Sequence, residues 1–282
     1  MKVILAKTAG FCMGVRRAVD ATMELVEQGK GEIHTLGPLI HNSQVLELLK
    51  GQGVDILTEI PEKVSGTVIV RAHGVPPFQE KQLVESGATI KNATCPRVIK
   101  VQAIIKKYRH HDCFTVIIGD KNHAEVDGLL GYADSRGIVV SNEEDVAALQ
   151  ISGPYIIVSQ TTQDQVSFSR LSEMILEKFS DGRVFNTICD STSKRQEEVR
   201  KLCGEVEAVI VVGGRSSANT RRLGDVARAM GCPVYLIETE EELDCRDLRQ
   251  YDKVAVTAGA STPVWMIDRV VAALEGFEEG KC

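Results

Sequence analysis

Three features are absent from the sequence, and each absence argues against one class of protein. No apolar run approaches the roughly 18 residues of a membrane-spanning helix, so we expect no membrane segment. Basic residues are not in excess: 33 Lys and Arg stand against 39 Asp and Glu, and a net charge of -6 disfavours nucleic acid as a partner. The Gly-x-Gly-x-x-Gly and Gly-x-x-x-x-Gly-Lys-(Ser/Thr) motifs are also missing, which argues against a dinucleotide or ATP bound by those loops.

A Cys-x-x-Cys pair is missing too, although the chain contains eight cysteines. The first residues lack the apolar core of a signal peptide, so we expect a cytoplasmic, reducing environment. Cysteines in such a compartment are thiols, metal ligands or catalytic groups rather than parts of a disulfide framework.

Apolar, β-branched runs recur along the chain and predict strands that are buried on both faces. Such continuous runs are typical of parallel sheets covered by helices. Helical stripes follow two of them, and the class is therefore α/β. The main runs are residues 3–6, 67–70, 115–118, 155–158, 208–212 and 254–257, with accessory runs at 54–57, 137–140 and 233–237; the stripes are Val15, Val19, Thr22, Val26 and Val98, Val101, Ile105, Tyr108.

Each third of the chain has about the same complement of elements, which predicts three similar α/β units with mainly parallel sheets. We place them at residues 1–95, 96–188 and 189–282. No Pro- or Gly-rich linker separates them, so we expect close packing between them.

Three cysteines occupy the same place in these thirds, between a strand-like stretch and a basic or polar helix. They are Cys12 in GFCMGVRRAV, Cys95 in KNATCPRVIKVQ and Cys189 in NTICDSTSKRQEEV. Because 83 and 94 residues separate them, they cannot form a local metal knuckle, and a shared metal would lie where three similar units meet. We expect Cys113, Cys203, Cys232 and Cys245 to be structural and Cys282 to lie in a frayed tail.

Polar loops follow the predicted strands, and ligands of parallel α/β sheets bind at this edge. Imidazoles, hydroxyls and amides beside Gly-rich turns predict a compact anion such as a phosphate or diphosphate. The loops are LGPLIHN with His41, VRAHGVPP with His73, GDKNHAEVDG with His123 and Glu125, SQTTQ with Thr161, VGGRSSANTRRL with Ser217 and Asn219, and TAGASTP with Ser261. The His123-Ala124-Glu125 run is also similar to the start of a zinc deaminase motif, but no Pro-Cys-x-x-Cys follows it.

With these motifs in order, together with NATCPRV, the sequence resembles the 4-hydroxy-3-methylbut-2-enyl diphosphate reductase (LytB/IspH) family over nearly its whole length. The resemblance implies a trefoil of three α/β units around a central iron-sulfur cluster of the 4Fe–4S type. Cys12, Cys95 and Cys189 would hold the cluster and leave one iron open to substrate.

The resemblance also implies an activity and roles for the loop residues. The reaction is reductive dehydroxylation of (E)-4-hydroxy-3-methylbut-2-enyl diphosphate to isopentenyl and dimethylallyl diphosphate, the last step of the methylerythritol phosphate isoprenoid pathway. Glu125 and Thr161 would face the substrate hydroxyl, and Ala218 stands where the family often has a second serine. The residues that would grip the diphosphate are His41, His73, His123, Ser217, Asn219 and Ser261.

The family resemblance further predicts flavodoxin or ferredoxin as electron donor, and we expect a monomer. Two other interpretations use the same residues. A zinc hydrolase could employ the Cys and His side chains, but it would be colourless where an iron-sulfur protein is brown. An iron-sulfur sensor or electron carrier would need the cysteines but would not bind a small allylic diphosphate.

Overall fold

The computed structural model describes residues 1–29 and 31–276, apart from the side chain of Cys245. Within these residues, strands and helices alternate and the strands form three four-stranded sheets in which every pair is parallel. The predicted α/β class is therefore confirmed. No helix of the described chain combines the length and the apolarity needed to cross a bilayer.

Strands and helices are numbered in chain order. The first sheet contains β2 (Ile33–Leu36), β3 (Val54–Leu57), β4 (Thr67–Val70) and β5 (Thr89–Asn92), in the order β3-β2-β4-β5. The second contains β6 (Phe114–Ile118), β7 (Gly137–Val140), β8 (Tyr155–Ser159) and β9 (Gly182–Val184), in the order β7-β6-β8-β9. The third contains β1 (Lys2–Leu5), β10 (Ala208–Val212), β11 (Val234–Ile237) and β12 (Lys253–Ala258), in the order β1-β12-β10-β11.

Helices connect these strands, as parallel pairing requires. They are α1 (Met13–Glu27), α2 (Ser43–Gly51), α3 (Pro77–Glu85), α4 (Pro96–Arg109), α5 (Ala124–Ala133), α6 (Glu143–Ala148), α7 (Gln165–Lys178), α8 (Asp190–Cys203), α9 (Ala218–Ala229), α10 (Cys245–Leu248) and α11 (Val264–Gly276), with a 3₁₀ turn at Glu240–Glu242.

The described residues fall into two compact units. One consists of Met1–Met13, His41–Val45 and the chain from Asp190 onward, and it contains the third sheet. The other consists of Gly14–Ile40 and Leu46–Cys189 and contains the first and second sheets. The boundaries that we predict after residues 95 and 188 stay a prediction. Strand pairing adds that β1, at the start of the chain, joins β12 near its end.

The second sheet shows how helices cover both faces of a parallel sheet. Val116 and Ile118 of β6 belong to an apolar cluster with α6 and α7, whereas Ile117 belongs to a cluster with α4 and α5. All three side chains are fully buried. An uninterrupted apolar strand is stable here because each face packs against helices.

The nine predicted strands are all present, with bounds that differ by at most one residue at either end. Sequence inspection missed β2, β5 and β9, which are three or four residues long and include polar positions. It was wrong about the burial of β1, an edge strand whose end residues are exposed. In α1 the buried positions are Gly14, Ala18 and Thr22, so Thr22 of the predicted stripe is buried, whereas Gly14 and Ala18 take the buried places predicted for the next residues along.

Candidate functional site

The six polar loops leave the two central strands of each sheet. In the first sheet they follow β2 and β4, in the second β6 and β8, and in the third β10 and β12. His41, His73 and Ser261 each lie in the loop between such a strand and the next helix. Every loop is therefore at the carboxyl edge of its sheet, where parallel α/β proteins bind ligands.

The three cysteines share a different position, which is also the same in each sheet. Cys12, Cys95 and Cys189 each come directly before a helix, namely α1, α4 and α8. The strand before each cysteine is β1, β5 or β9, which is an edge strand paired with the second of the two central strands. The positive end of a helix attracts anionic groups, and thiolates are such groups.

Glu125 and Thr161 form a buried pair at the carboxyl edge of the second sheet. The Thr161 N–H donates to Glu125 Oε1 (2.6 Å), and the Thr161 hydroxyl donates to Oε2 (2.7 Å). Only 2% of Glu125 is exposed. Burial raises the pKa of Glu125 to about 7, although the hydrogen bonds from Thr161 oppose the shift. The carboxyl can therefore hold a proton near neutral pH, as a general acid must.

Thr161 also touches the segment that carries Cys189. Its carbonyl accepts the Cys189 N–H (2.9 Å). Beside it, the Thr187 hydroxyl donates to the Ser159 carbonyl (2.8 Å) and accepts the Ser159 N–H (2.8 Å). A continuous set of main-chain and side-chain contacts thus runs from Glu125 through Thr161 to Cys189.

His123 caps α5 and fixes the orientation of its own imidazole. Its Nδ1 accepts the Glu125 N–H (3.1 Å). The neutral ring therefore carries its proton on Nε2, from which it can donate to an anionic oxygen. The His73 ring lies beside it at 5.6 Å between centroids, in an edge-to-face arrangement. Two of the imidazoles that the sequence predicts as anion ligands are thus brought together.

Glycines allow α5 to approach the loop that carries His73. A Cβ added at Gly131 would lie 2.5 Å from Cβ of Pro76, and one at Gly128 would contact the Gly74 backbone at 3.6 Å. The Arg71 guanidinium donates to the Gly74 carbonyl (3.3 Å) on the other side of this turn. The GDKNHAEVDGLLGY motif therefore provides both the polar residues at the start of α5 and the glycines that let α5 pack closely against the loop of His73.

In the other unit, the His41 segment lies against two loops of the third sheet. The Ser261 hydroxyl donates to the His41 carbonyl (3.0 Å), and a Cβ added at Gly214 would lie 2.6 Å from that same oxygen. The single hydroxyl proton of Ser261 is therefore used by the main chain in this arrangement, although the sequence predicts it as a diphosphate donor.

Ser217 and Asn219 begin α9 and are both buried. The Ser217 hydroxyl caps the helix by accepting the Thr220 N–H (3.3 Å). Both polar atoms of the Asn219 amide are buried without a hydrogen-bond partner among the described residues. An unsatisfied buried amide is costly, by roughly 1–3 kcal/mol per group, so this amide is suited to a hydrogen-bonding group, water or ligand, at the start of α9. The side chain of Ala218, also buried, provides no further donor.

Two charged side chains of α8 hold the segment that leads to Cys12, and sequence inspection missed both. Arg195 Nη2 donates to the Gly10 carbonyl (2.6 Å), and the Glu198 carboxylate accepts the N–H groups of Lys7 (2.7 Å) and Thr8 (2.9 Å). Burial raises the pKa of Glu198, but the hydrogen bond from the Thr8 hydroxyl, together with these two, outweighs it and leaves the pKa below its usual value. Cys12 itself donates its N–H to the Ala260 carbonyl (3.0 Å).

Gly14 is a third residue that the sequence did not single out. It lies in the first turn of α1, and a Cβ added there would be 2.5 Å from the Cys95 Sγ and 3.1 Å from the Cys95 Cβ. The Cys95 sulfur therefore rests against the N-terminal turn of α1 in space that only glycine leaves. The signal in the sequence was the Cys-x-Gly spacing of GFCMG, which local patterns alone do not interpret.

The remaining cysteines behave as apolar side chains. Cys203 and Cys232 belong to an apolar cluster with β10 and α9, and burial raises the pKa of the Cys203 thiol to about 12. Such thiols are poor ligands and poor nucleophiles. Cys113 directly precedes β6. Cys282 lies outside the described residues, as does the side chain of Cys245.

Comparison with known proteins gives the family. The model of the LytB protein family matches residues 3–275. The chain belongs to the LytB family. A relative from Geobacter sulfurreducens, 4-hydroxy-3-methylbut-2-enyl diphosphate reductase, is 41% identical over 281 residues, which cover 100% of this chain and 99% of the relative. The enzyme of that name from Aquifex aeolicus is 40% identical over 282 residues, covering 99% and 98%.

Two solved structures are also similar to this chain. The structure of the E-1-hydroxy-2-methyl-but-2-enyl-4-diphosphate reductase from Plasmodium falciparum matches with a TM-score of 0.93 and 28% identity, over 97% of this chain and 87% of that one. A structure of (E)-4-hydroxy-3-methyl-but-2-enyl diphosphate reductase, described as the terminal enzyme of the non-mevalonate pathway, matches with a TM-score of 0.71 and 40% identity. It covers 98% of this chain and 100% of that one. The LytB fold thus extends along nearly the whole chain.

Proposed function

We propose that this LytB-family protein is a 4-hydroxy-3-methylbut-2-enyl diphosphate reductase. The reaction replaces the allylic hydroxyl of (E)-4-hydroxy-3-methylbut-2-enyl diphosphate with hydrogen. It consumes two electrons and two protons, releases water, and yields isopentenyl and dimethylallyl diphosphate. Relatives of that name, about 40% identical over the full length, support the activity.

The observation that carries the proposal is the repeated position of the three cysteines. Cys12, Cys95 and Cys189 each stand at the start of the helix that follows an edge strand, once in each sheet. Cysteines kept only for packing have no reason to recur at one topological position. We assign these three as the ligands of a 4Fe–4S cluster.

The residues present fit such a cluster. Thiolates are soft ligands that suit iron-sulfur groups, and none of the three cysteines is in a disulfide bond or fully buried. The missing Cβ at Gly14 gives the Cys95 sulfur room beside the N-terminal turn of α1. When bound, the cluster supplies single electrons and a Lewis-acidic iron with an open position.

The chain's own residues provide substrate binding and proton transfer. His41, His73, His123, Ser217, Asn219 and Ser261 are assigned to the diphosphate. His123 Nε2–H and the unsatisfied Asn219 amide are donors suited to its anionic oxygens. Fixing the diphosphate restricts the position of the hydroxyl end of the substrate, which lowers the entropic cost of reaction.

Glu125 is assigned as the proton donor to the departing hydroxyl oxygen. Its raised pKa, near 7, keeps part of the carboxyl protonated under neutral conditions. Thr161 holds both carboxyl oxygens and so fixes the orientation of the group. After giving up its proton, the carboxylate has to take one up from solvent before the next turnover.

The electron donor is assigned as flavodoxin or ferredoxin, and the protein as a cytoplasmic monomer. A reducing compartment agrees with the cysteines, since none of the six whose side chains are described is in a disulfide bond.

Anaerobic purification followed by iron and sulfide analysis tests the proposal. We expect a brown protein with close to four iron and four sulfide per chain. It should convert the hydroxylated allylic diphosphate to the two products when reduced methyl viologen supplies electrons. A colourless protein with bound zinc would support a hydrolase instead, and a brown protein without affinity for the diphosphate would support a sensor or carrier.

A further inference from the structure

An exposed group of basic residues surrounds Cys95 in the unit that contains α1 and α4. Arg16 and Arg17 follow Gly14 by two and three residues, and Arg97 and Lys100 follow Cys95 by two and five. Because the Cys95 sulfur rests against Gly14, the first turns of the two helices are neighbours. All four side chains are exposed. We call these four residues the basic surface.

A second contact fixes the two helices to each other at this point. Arg17 Nη1 donates to the carbonyl of Thr94, the residue before Cys95 (3.0 Å). Ile99 lies among the cations and is 44% exposed, which is high for a large apolar side chain. The surface therefore combines a small apolar centre with a cationic rim, a common composition of protein interfaces.

The charge of α4 is unusual for this chain. The helix contains five basic residues, Arg97, Lys100, Lys106, Lys107 and Arg109, and no acidic one. The chain as a whole has a net charge of -6, so the residues outside α4 sum to -6 - 5 = -11. Basic residues on α4 are thus concentrated against the trend of the molecule.

Unlike Lys106, Lys107 and Arg109, which lie in the last turn of α4, the four cations of the basic surface lie in the N-terminal parts of α1 and α4. Helix N-termini favour acidic residues, yet the first turns of α1 and α4 contain none. Arg16 and Lys100 form no ion pair with any described residue. Since neither the helix dipole nor an ion pair within the described chain accounts for Arg16 and Lys100, these two are suited to a binding partner that comes from solution.

We propose that the basic surface is the docking site of an acidic one-electron carrier protein. This inference rests on the proposed function, which needs two electrons per substrate from outside the chain. Each docked carrier is oxidised by one electron. Two such encounters, with two protons, convert the C–OH bond of the substrate to C–H and release one water.

The position and the sign of the charge favour this partner. Electron transfer weakens steeply with distance, and the surface lies directly around Cys95, one of the assigned cluster ligands. Complementary charge raises the rate of encounter and orients the partner, which suits a carrier that must bind briefly and leave. A nucleic acid is disfavoured because four cations form a small footprint on a chain of net negative charge.

The test compares two double variants of the intact, cluster-loaded protein. Arg16→Glu with Lys100→Glu reverses two charges of the basic surface. Lys50→Glu with Lys63→Glu makes the same change in net charge at two exposed lysines of the same unit, at the end of α2 and in the β3–β4 connection. Iron and sulfide content is measured for each variant.

Two readouts are compared at low and high salt. Binding of a purified acidic flavodoxin is measured by calorimetry, and turnover is measured with reduced flavodoxin and with reduced methyl viologen, which is too small to need a docking site. We expect the basic-surface variant to lose about tenfold in flavodoxin affinity and in flavodoxin-driven kcat/KM at low salt. Viologen-driven turnover should stay within about twofold of the unmodified protein, as should both activities of the control variant.

Each of the other possible results would contradict one part of the proposal. Equal flavodoxin affinity in the two variants would remove the docking site. Loss of iron or of viologen-driven turnover in the basic-surface variant would show that these cations serve the cluster rather than a partner. Selective loss of affinity for a short RNA or DNA duplex, with flavodoxin binding unchanged, would assign the surface to nucleic acid. Absence of viologen-driven turnover in the unmodified protein would contradict the proposed function, while the calorimetric comparison would still test the surface.

Discussion

At the scale of single residues, the buried Glu125 is the group whose environment deviates most from that of an ordinary surface carboxyl. Desolvation raises its pKa, and Thr161 contacts both of its oxygens. A carboxyl on the surface would be ionised at neutral pH and could not donate a proton. Burial in the fold therefore raises the pKa of Glu125 enough for this carboxyl to donate a proton near neutral pH.

We expect Glu125→Gln to lower kcat by about 100-fold or more, because an amide cannot donate a proton of comparable acidity. Substrate affinity should change little, since the amide is isosteric and can still contact Thr161. In the unmodified protein kcat/KM should decline as pH rises through about 7, where the acid loses its proton. Steady-state kinetics between pH 6 and 8.5 and direct substrate titration measure both effects. The control is Glu80→Gln on α3, and a Glu125→Gln variant with normal kcat would exclude the carboxyl from proton transfer.

Gly14 gives a second prediction at this scale. In Gly14→Ala the added Cβ would lie 2.5 Å from the Cys95 sulfur, so that the sulfur has to move. Alanine is the better helix former by about 1 kcal/mol, which offsets part of the roughly 1–3 kcal/mol that such overpacking costs, so the protein without its cluster should lose little stability. We therefore expect at least a twofold loss of bound iron and sulfide, with a melting temperature before reconstitution that is lower by no more than a few degrees.

The matched control for Gly14→Ala is Gly51→Ala in α2, where an added Cβ meets nothing within 4 Å. That variant should keep its iron and sulfide. Full iron in both variants would mean that the Cys95 sulfur tolerates the extra methyl group, and the close approach to α1 would then have no role in holding the cluster.

The sequence could point to single residues only where a local pattern identifies them. Cys12, Cys95 and Cys189 were found because each stands between a strand and a helix, and the loop residues because each follows an apolar run. Arg195 and Glu198 could not be found in this way. They form hydrogen bonds with the main chain of Gly10 and Lys7, which are 185 and 191 residues away along the chain. Contacts between such distant residues produce no periodic pattern in the sequence.

At the scale of elements, α8 holds the segment that precedes Cys12 in place through hydrogen bonds. Its two charged side chains, one turn apart, bind opposite kinds of main-chain group: Arg195 binds a carbonyl and Glu198 binds two N–H groups. Three main-chain polar groups of the segment 7–10 are therefore satisfied by side chains of a helix instead of by a strand, which is how an irregular stretch can be held in place.

We expect Arg195→Met to loosen this segment because it leaves the Gly10 carbonyl without its buried donor. The loss should be about 1–3 kcal/mol in stability, or a melting temperature lower by several degrees. In protein without its cluster, alkylation of Cys12 should become severalfold faster, while alkylation of Cys95 stays unchanged. Peptide mass spectrometry after timed alkylation measures both thiols.

Lys194→Met is the control for Arg195→Met, since Lys194 is the exposed neighbour on the same helix. Equal alkylation rates in the two variants would mean that Arg195 does not restrain Cys12. A lower melting temperature without faster alkylation would assign Arg195 to the general packing of α8.

Elements were predictable from the sequence where apolar runs were long. β4, β8 and β10 are buried along their whole length and each contains a run of at least three consecutive β-branched residues. β2 was missed although it is a central strand, because its His34 and Thr35 interrupt a four-residue run. The edge strands β5 and β9 were missed because an edge strand needs little apolar surface, and backbone pairing with a central strand is enough to define it.

At the scale of the whole molecule, the chain repeats one arrangement three times. Two central strands provide the polar loops, one edge strand leads to a cysteine, and the other edge completes the sheet. The third copy takes its cysteine-bearing strand, β1, from the start of the chain. The sequence predicted the three repeats from recurring runs, but it did not predict that pairing, because parallel pairing between distant segments has no local signature.

The raised pKa of Glu125 also predicts how stability depends on pH. The folded protein binds a proton that the unfolded chain releases between pH 4.5 and about 7, so the free energy of unfolding falls as pH rises through this window and becomes constant above it. Glu125→Gln removes this dependence because glutamine is neutral at every pH. From pH 6 to pH 8 the variant should therefore gain roughly 1 kcal/mol relative to the unmodified protein, or about 2 °C in melting temperature. Calorimetric melts of both proteins at several pH values measure the difference; a constant difference would mean that Glu125 is ionised throughout and that its burial is compensated elsewhere.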